Sequence, residues 1–456
     1  MHSTVVSRGG EDTTGGDPKA RWAGIADAGS LSFDFDSSEP VPFDVAPSWR
    51  WLASERVWRA AVAILVLQVA LLIGFVAVYR PFDLDIYVWG GRAVTHGLRL
   101  YLVQADANWF TYPPFAATLF APLAALPAAV ARLAWELGSV AALAWACVLT
   151  VRLAGYRPTR TAIVVMTAAA VVLEPVYHTL FLGQVNLFLM ALVLADLWRV
   201  SRGRPAGIGI GIAAAVKLVP GIFIVLLLLT RRFRDAAIAT GAFVGCGLLG
   251  FVIDPSASKL YWTRLFFDTR RVSDGYISNQ SLYAAVVRVL GGPTHAGTWF
   301  LLVALAIGTA GLVVAAVLAR RGDWLGATAV TGVTGLIVGP ISWTHHWVWI
   351  VPGLVVLLRG GARARVAAAC AYLLFALAPM WWTPHPVRPG MAQTGFHGLS
   401  TLTANCFLLA GLAFLGYMTV VARRTRAASR PLRPDWFADA VNADDDRLLE
   451  PELARV

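Results

Sequence analysis

Lysine is almost missing from this 456-residue chain: Lys19, Lys217 and Lys259 are the only ones. Charge of either sign is scarce, with 14% charged residues against 57% hydrophobic. A water-soluble domain needs more polar surface than that. Cysteine is scarce too. Cys147, Cys246, Cys370 and Cys406 are scattered through apolar runs, without the spacing of a zinc framework or a redox pair, so all four read as packing residues. There is no P-loop, no dinucleotide-binding unit and no cytoplasmic loop long enough for a catalytic domain, which leaves nucleotide-sugar chemistry on the cytoplasmic face without support. No cleavable signal peptide is expected. A polar Gly/Ser/Asp-rich tail, residues 1–56, precedes the first apolar run and is expected to be disordered and cytoplasmic, as is the tail 423–456.

What the chain does have is apolar runs of membrane-spanning length, about 20 residues each. Lipid leaves no partner for an unpaired backbone group, so such runs fold as helices. Candidate spans are 58–79, 129–151, 161–180, 184–199, 236–253, 298–319, 324–341, 344–359, 363–381 and 402–422. The net charge of +11 is nearly all arginine. Arginines cluster in alternate short loops: Arg152/Arg157/Arg160, Arg199/Arg202/Arg204, Arg231/Arg232/Arg234, Arg320/Arg321 and Arg359/Arg363/Arg365. The intervening connections, around 178–184 and 342–346, carry none. Positive residues mark the cytoplasmic side, so the excess reports topology and contact with anionic lipid rather than nucleic acid. The expectation is an all-α polytopic protein with about ten full crossings and both termini inside. Residues 207–230 begin and end among arginines and are too short to cross twice. They are expected to form a hairpin of two half-helices turning near Lys217–Pro220 and lining a cavity. The transmembrane domain, 57–422, then carries two long outer loops, 80–112 and 254–297.

The candidate chemistry gathers at the outer ends of these spans. Asp83 and Asp85 follow the first span directly, where a carboxylate needs water, a cation or a task. In an extended segment both face the same way; in a helix they point about 200° apart, and only one can face a shared site. Lys217 lies in an apolar run without an acidic neighbour in sequence. Gly183-Gln-Val-Asn186 opens a span with two amides, just after Glu174 and His178. Ile341-Ser-Trp-Thr-His-His-Trp-Val-Trp349 places His345 and His346 in an outer hairpin. Adjacent histidines rarely share a metal, so phosphate or sugar hydroxyl contact is the expected role and no metal is expected. Asn108-Trp-Phe-Thr-Tyr-Pro-Pro114 could fold aromatics over a sugar or form an interfacial belt.

These motifs, in this order, resemble one family. Asp83-Leu-Asp-Ile-Tyr87 with Gly90-Gly91 and Tyr101, Tyr112-Pro-Pro114, Gly183-Gln-Val-Asn186, Lys217-Leu-Val-Pro220 leading into Arg231-Arg-Phe-Arg234, Asn279-Gln-Ser281 and Ser342/His345-His346-Trp347 are similar to glycosyltransferase family 87. That family comprises actinobacterial polyprenol-phosphate-mannose-dependent α-1,2-mannosyltransferases. The resemblance spans about 58–422 and implies a GT-C glycosyltransferase fold in the plasma membrane, with its active site facing the periplasm. It implies a polyprenyl-phosphate mannose donor and a mannosylated glycolipid acceptor, either a phosphatidylinositol mannoside or lipomannan/lipoarabinomannan. It needs no cofactor. Its catalytic aspartate maps to Asp83 or Asp85, with Asp83 favoured because it stands four before Tyr87. Implied substrate-binding residues are Tyr87, Tyr112, Gln184, Asn186, Lys217, Arg264, Arg270, Arg271, Asn279, Gln280, His345 and His346. The competing reading is a transporter or flippase of a lipid-linked sugar, which would also use intramembrane charge and a broken helix.

Overall fold

The computed structural model describes residues 50–105, 108–267, 275–292, 299–385 and 393–427. Most of the expected tail 1–56 and the end of 423–456 therefore lie outside the described residues, as do Arg270 and Arg271. Helical turns already begin at Arg50–Ala53, where Leu52 packs into a small cluster with Val151, Tyr156 and Ala162.

Among the described residues the fold is helical throughout, without a named strand. The helices are α1 (Glu55–Val78), α2 (Phe82–Thr95), α3 (Pro114–Ala124), α4 (Ala128–Leu153), α5 (Arg160–Val171), α6 (Glu174–Leu182), α7 (Asn186–Ser201), α8 (Ile208–Val216) and α9 (Ile222–Leu229). They continue with α10 (Phe233–Ile253), α11 (Pro255–Thr263), α12 (Leu282–Leu290), α13 (Trp299–Arg320), α14 (Trp324–Val338), α15 (Ile350–Leu358), α16 (Ala362–Leu377), α17 (Leu399–Ala404) and α18 (Cys406–Ala427). Five of them, α1, α4, α10, α13 and α18, are long and apolar enough to cross a bilayer. This makes the chain a multi-pass membrane protein. The other expected spans appear as shorter apolar helices or as broken ones.

The expected single span 161–180 is one of the broken ones: α5 and α6 meet at 75°. Pro175 explains the break. It has no N–H to give the Val171 carbonyl, and its ring crowds that turn, so α5 ends at Val171 and a new helix starts at Glu174. At the far end of α6, Gly183 takes a left-handed conformation (φ 69°), which turns the chain and delivers Gln184 and Asn186 to the start of α7.

The hairpin over 207–230 is present. Asp196, toward the end of α7, accepts from Ile210 N at 2.7 Å at the start of α8. Seven residues on, Lys217 reaches Asn186 at the opposite end of α7, so α8 runs antiparallel to α7. Helix α8 stops there because Lys217 is extended (φ −149°, ψ 121°) and Pro220 lies just beyond. A 3-10 turn at Val219–Gly221 starts the return. Helix α9 brings the chain back until the Leu229 carbonyl meets Arg320 at the end of α13.

Burial ranks the helices. α1 is largely unshielded by protein, as a lipid-facing span should be, whereas nearly every residue of α14 is buried. Small residues let α14 pack so closely: Gly311 of α13 abuts Thr334, and Gly332 abuts the Trp349 ring.

Candidate functional site

Asp83 and Asp85 fall in the first turn of α2, where the amide end of the helix favours carboxylates. Because the segment is helical, the two point apart. Asp85 is 38% exposed and lies 3.9 Å from the Arg80 guanidinium. Asp83 shares a face with Tyr87 one turn on and looks inward. Burial pushes the Asp83 carboxyl up to about 6, while a hydrogen bond from Gln184 and the charges of Lys217 and His178 pull it the other way.

Gln184 joins the elements here. It acts on the Asp83 carboxyl from the start of α7. Its Oε1 accepts from Tyr87 OH at 2.8 Å, and its Nε2 donates to Tyr112 OH at 3.1 Å. Tyr112 is held in turn by Tyr101, whose hydroxyl donates to its carbonyl at 2.7 Å. Tyr87 stacks on Phe120 of α3 with ring centroids 4.3 Å apart. Gly183 permits the approach of α6 to α2, since a Cβ there would sit 2.7 Å from the Leu84 Cβ.

Lys217, at the hairpin tip, has an acceptor for each of its three protons. Nζ lies 2.9 Å from Asn186 Oδ1, 2.9 Å from His346 Nε2 and 3.4 Å from Gln184 Oε1. Asn186 Nδ2 donates to the His345 carbonyl at 2.8 Å, which ties α7 to the 3-10 turn Thr344–Trp349. The rings of His345 and His346 stand edge to face, 4.8 Å apart. Both His345 ring nitrogens are buried with no hydrogen-bond partner.

Asp83, Tyr87, Tyr112, Gln184, Asn186, Lys217, His345 and His346 thus converge. Among the described residues, Asn279, Gln280 and Arg264 do not join them. Asn279 Nδ2 donates to the Pro340 carbonyl, and its Oδ1 accepts from Ser342 N. Gln280 donates to the Ile277 and Ala404 carbonyls and accepts from Phe407 N. These two amides are occupied in bracing the backbone around the 3-10 turn. Arg264 ends α11 exposed and hydrogen-bonds none of the cluster.

Two residues left out of the expected set do join. His178 Nδ1 lies 2.9 Å from Glu174 Oε1 and 2.9 Å from Thr344 Oγ1, and Trp381 Nε1 donates to the same Glu174 oxygen. The spacing of Glu174 and His178, one helical turn apart, was a usable signal; Trp381, two hundred residues away, offered none. Among the described residues no group of three His, Cys, Asp or Glu side chains could hold a metal ion.

A multi-pass helical bundle thus gathers a carboxylate, amides, an amine and imidazoles into one polar cluster. The family model for glycosyltransferase family 87 matches residues 110–340. A curated relative from Mycobacterium tuberculosis, a polyprenol-phosphate-mannose-dependent α-(1-2)-phosphatidylinositol pentamannoside mannosyltransferase, is 34% identical over 394 residues, covering 82% of this chain and 90% of its own. Its Mycolicibacterium smegmatis namesake is 32% identical over 385 residues, 80% of this chain and 92% of that one. A second M. tuberculosis relative, a polyprenol-phosphate-mannose-dependent α-(1-2)-phosphatidylinositol mannoside mannosyltransferase, is 31% identical over 382 residues, 78% and 89% of the two chains. No solved structure matches. The chain belongs to glycosyltransferase family 87.

Proposed function

We propose that this protein is an inverting α-1,2-mannosyltransferase that moves mannose from polyprenyl-phosphate mannose to a mannosylated phosphatidylinositol or related glycolipid. Asp83 takes the proton of an acceptor mannose 2-hydroxyl. The oxygen attacks C1 of the β-mannosyl phosphate, the C1–O bond to phosphate breaks, and its electron pair leaves with the lipid phosphate. One in-line displacement inverts the anomeric centre and gives the α linkage. The observation that carries this reading is the inward-facing Asp83, within electrostatic reach of Lys217 and of the Gln184 amide that Lys217 contacts, in a family 87 chain. A half-buried carboxylate with a raised proton affinity suits a general base. Tyr87, Tyr112 and Gln184 orient it, and Lys217 with Asn186 and His346 supplies positive potential beside the reacting centre. Arg270 and Arg271, in the outer loop, remain candidates for the lipid phosphate. The fold is then GT-C, and the site faces the periplasm from the plasma membrane, opposite the arginine-rich loops.

The experiment is transfer of labelled mannose from synthetic polyprenyl-phosphate mannose to a phosphatidylinositol tetramannoside, using purified protein in detergent with a chelator present. A new α-1,2 product, lost in Asp83→Asn, is expected. Donor binding without a product on any mannosylated lipid would overturn the transferase reading in favour of lipid transport.

A further inference from the structure

The reaction releases a lipid phosphate whose negative charge grows as the C1–O bond breaks, so a donor must wait for it. Lys217 is already spoken for by Asn186, His346 and Gln184. His178 is not. Its Nδ1 faces the Glu174 carboxylate, and its Nε2 has no hydrogen-bond partner among the described residues. Glu174 is fully buried, and its Oε1 is fixed between His178 and Trp381. The His345 ring, its two nitrogens also unpartnered, meets the His178 ring edge-on at 5.3 Å. The His345 carbonyl accepts from Asn186 Nδ2, which also faces Lys217 through its Oδ1, so the His178–His345 pair adjoins the polar cluster.

We infer that His178, anchored by Glu174 and flanked by His345, is the seat of the departing lipid phosphate. This rests on the mannosyl-transfer reading above. With both ring nitrogens protonated, Nδ1–H donates to Glu174, which supplies the matching negative charge, and Nε2–H donates to the phosphate oxygen. The acceptor proton goes to Asp83 and the electron pair of the broken bond goes to phosphate, so His178 need transfer no proton. His178 is a catalytic residue on this account, because it touches the leaving group. Glu174 is a positioning residue that holds the ring by Nδ1 and turns Nε2 to the ligand.

The test compares wild type, His178→Ala, His178→Gln and Glu174→Gln in the same transfer assay, with polyprenyl monophosphate as a product inhibitor. His178→Ala should lower kcat about 100-fold, the usual loss for one such donor. It should weaken inhibition by polyprenyl monophosphate about tenfold and leave the KM for the glycolipid acceptor unchanged. Added imidazole should restore part of its kcat. His178→Gln keeps a neutral donor and should fall between it and wild type, which also covers the case in which the alanine variant does not fold. Glu174→Gln should lower kcat without rescue by imidazole. Unchanged phosphate inhibition in both His178 variants, or a fall in kcat that imidazole never repairs, would make His178 a packing residue and overturn the inference. If wild type itself forms no glycosidic bond, it is the transferase reading that fails; direct binding of polyprenyl monophosphate to the purified protein, weakened about tenfold in His178→Ala and unchanged if the inference is wrong, then tests His178 on its own.

Discussion

Asp83 is a half-buried carboxylate in the first turn of a helix, on the side of an amide, an amine and two tyrosines. Its neighbour Asp85 sits on the opposite side against Arg80. The roles should separate accordingly. Asp83→Asn should insert and fold normally yet lose on the order of 100- to 10,000-fold in kcat, the usual contribution of a general base, whereas Asp85→Asn should change kcat no more than a few-fold. Steady-state transfer assays on both variants decide this; full activity in Asp83→Asn would remove it as the base. Burial raises the Asp83 carboxyl to about 6. A base works only when ionised, so kcat/KM should be flat near neutrality and fall about tenfold per unit below pH 6, read across a profile from about pH 5 to 8. Lys217 carries a third expectation. Lys217→Met removes the donor to Asn186, His346 and Gln184, and each buried acceptor left unpaired costs about 1–3 kcal/mol. Both thermal stability and transfer should drop, as melting in detergent and the assay will show.

At the scale of elements, the site exists because three helix ends fall where they do. Helix α6 begins at Glu174 because of Pro175 and ends at Gly183; α8 ends at Lys217 because the backbone there is extended and a proline follows. Each break leaves a polar side chain at a helix end, where neighbouring elements supply its hydrogen-bond partners. Gly183 is the most sensitive joint. Its left-handed backbone strains any other residue, and a side chain would meet Leu84 and Pro81. Gly183→Ala should push α6 from α2, break the link from Gln184 to Asp83, and lower both melting temperature and kcat. A variant with wild-type kcat would show that this contact does not align the base. The offset α5–α6 pair also explains why an unbroken apolar stretch, 161–180, is not one straight span: hydropathy averages over a proline that the backbone cannot ignore.

Across the whole molecule, the arginine pattern sets one face against the other. The side of the bilayer is an expectation that labelling in intact cells can check. A cysteine in place of Arg99, in the loop holding α2, should react with an impermeant maleimide from outside; one in place of Arg202 should react only after permeabilisation. The reverse pattern would invert the topology and place the site in the cytoplasm.

The membrane character, the five long apolar helices and the hairpin over 207–230 were legible in the linear chain, because apolar length and basic flanks are local quantities. So was much of the polar cluster, once its motifs were taken together. The choice between Asp83 and Asp85 was not, since it turns on whether residues 82–95 coil into a helix. Nor was the division among the amides: Gln184 and Asn186 face the cluster, whereas Asn279 and Gln280 are consumed by backbone groups at 340–342 and 404–407. The union of His178 and Glu174 with Thr344 and Trp381 depends on contacts across more than 160 positions. Composition and periodicity determine which segments leave water; only packing decides which polar side chains then find one another, because a hydrogen bond is satisfied by distance in space and not by distance along the chain.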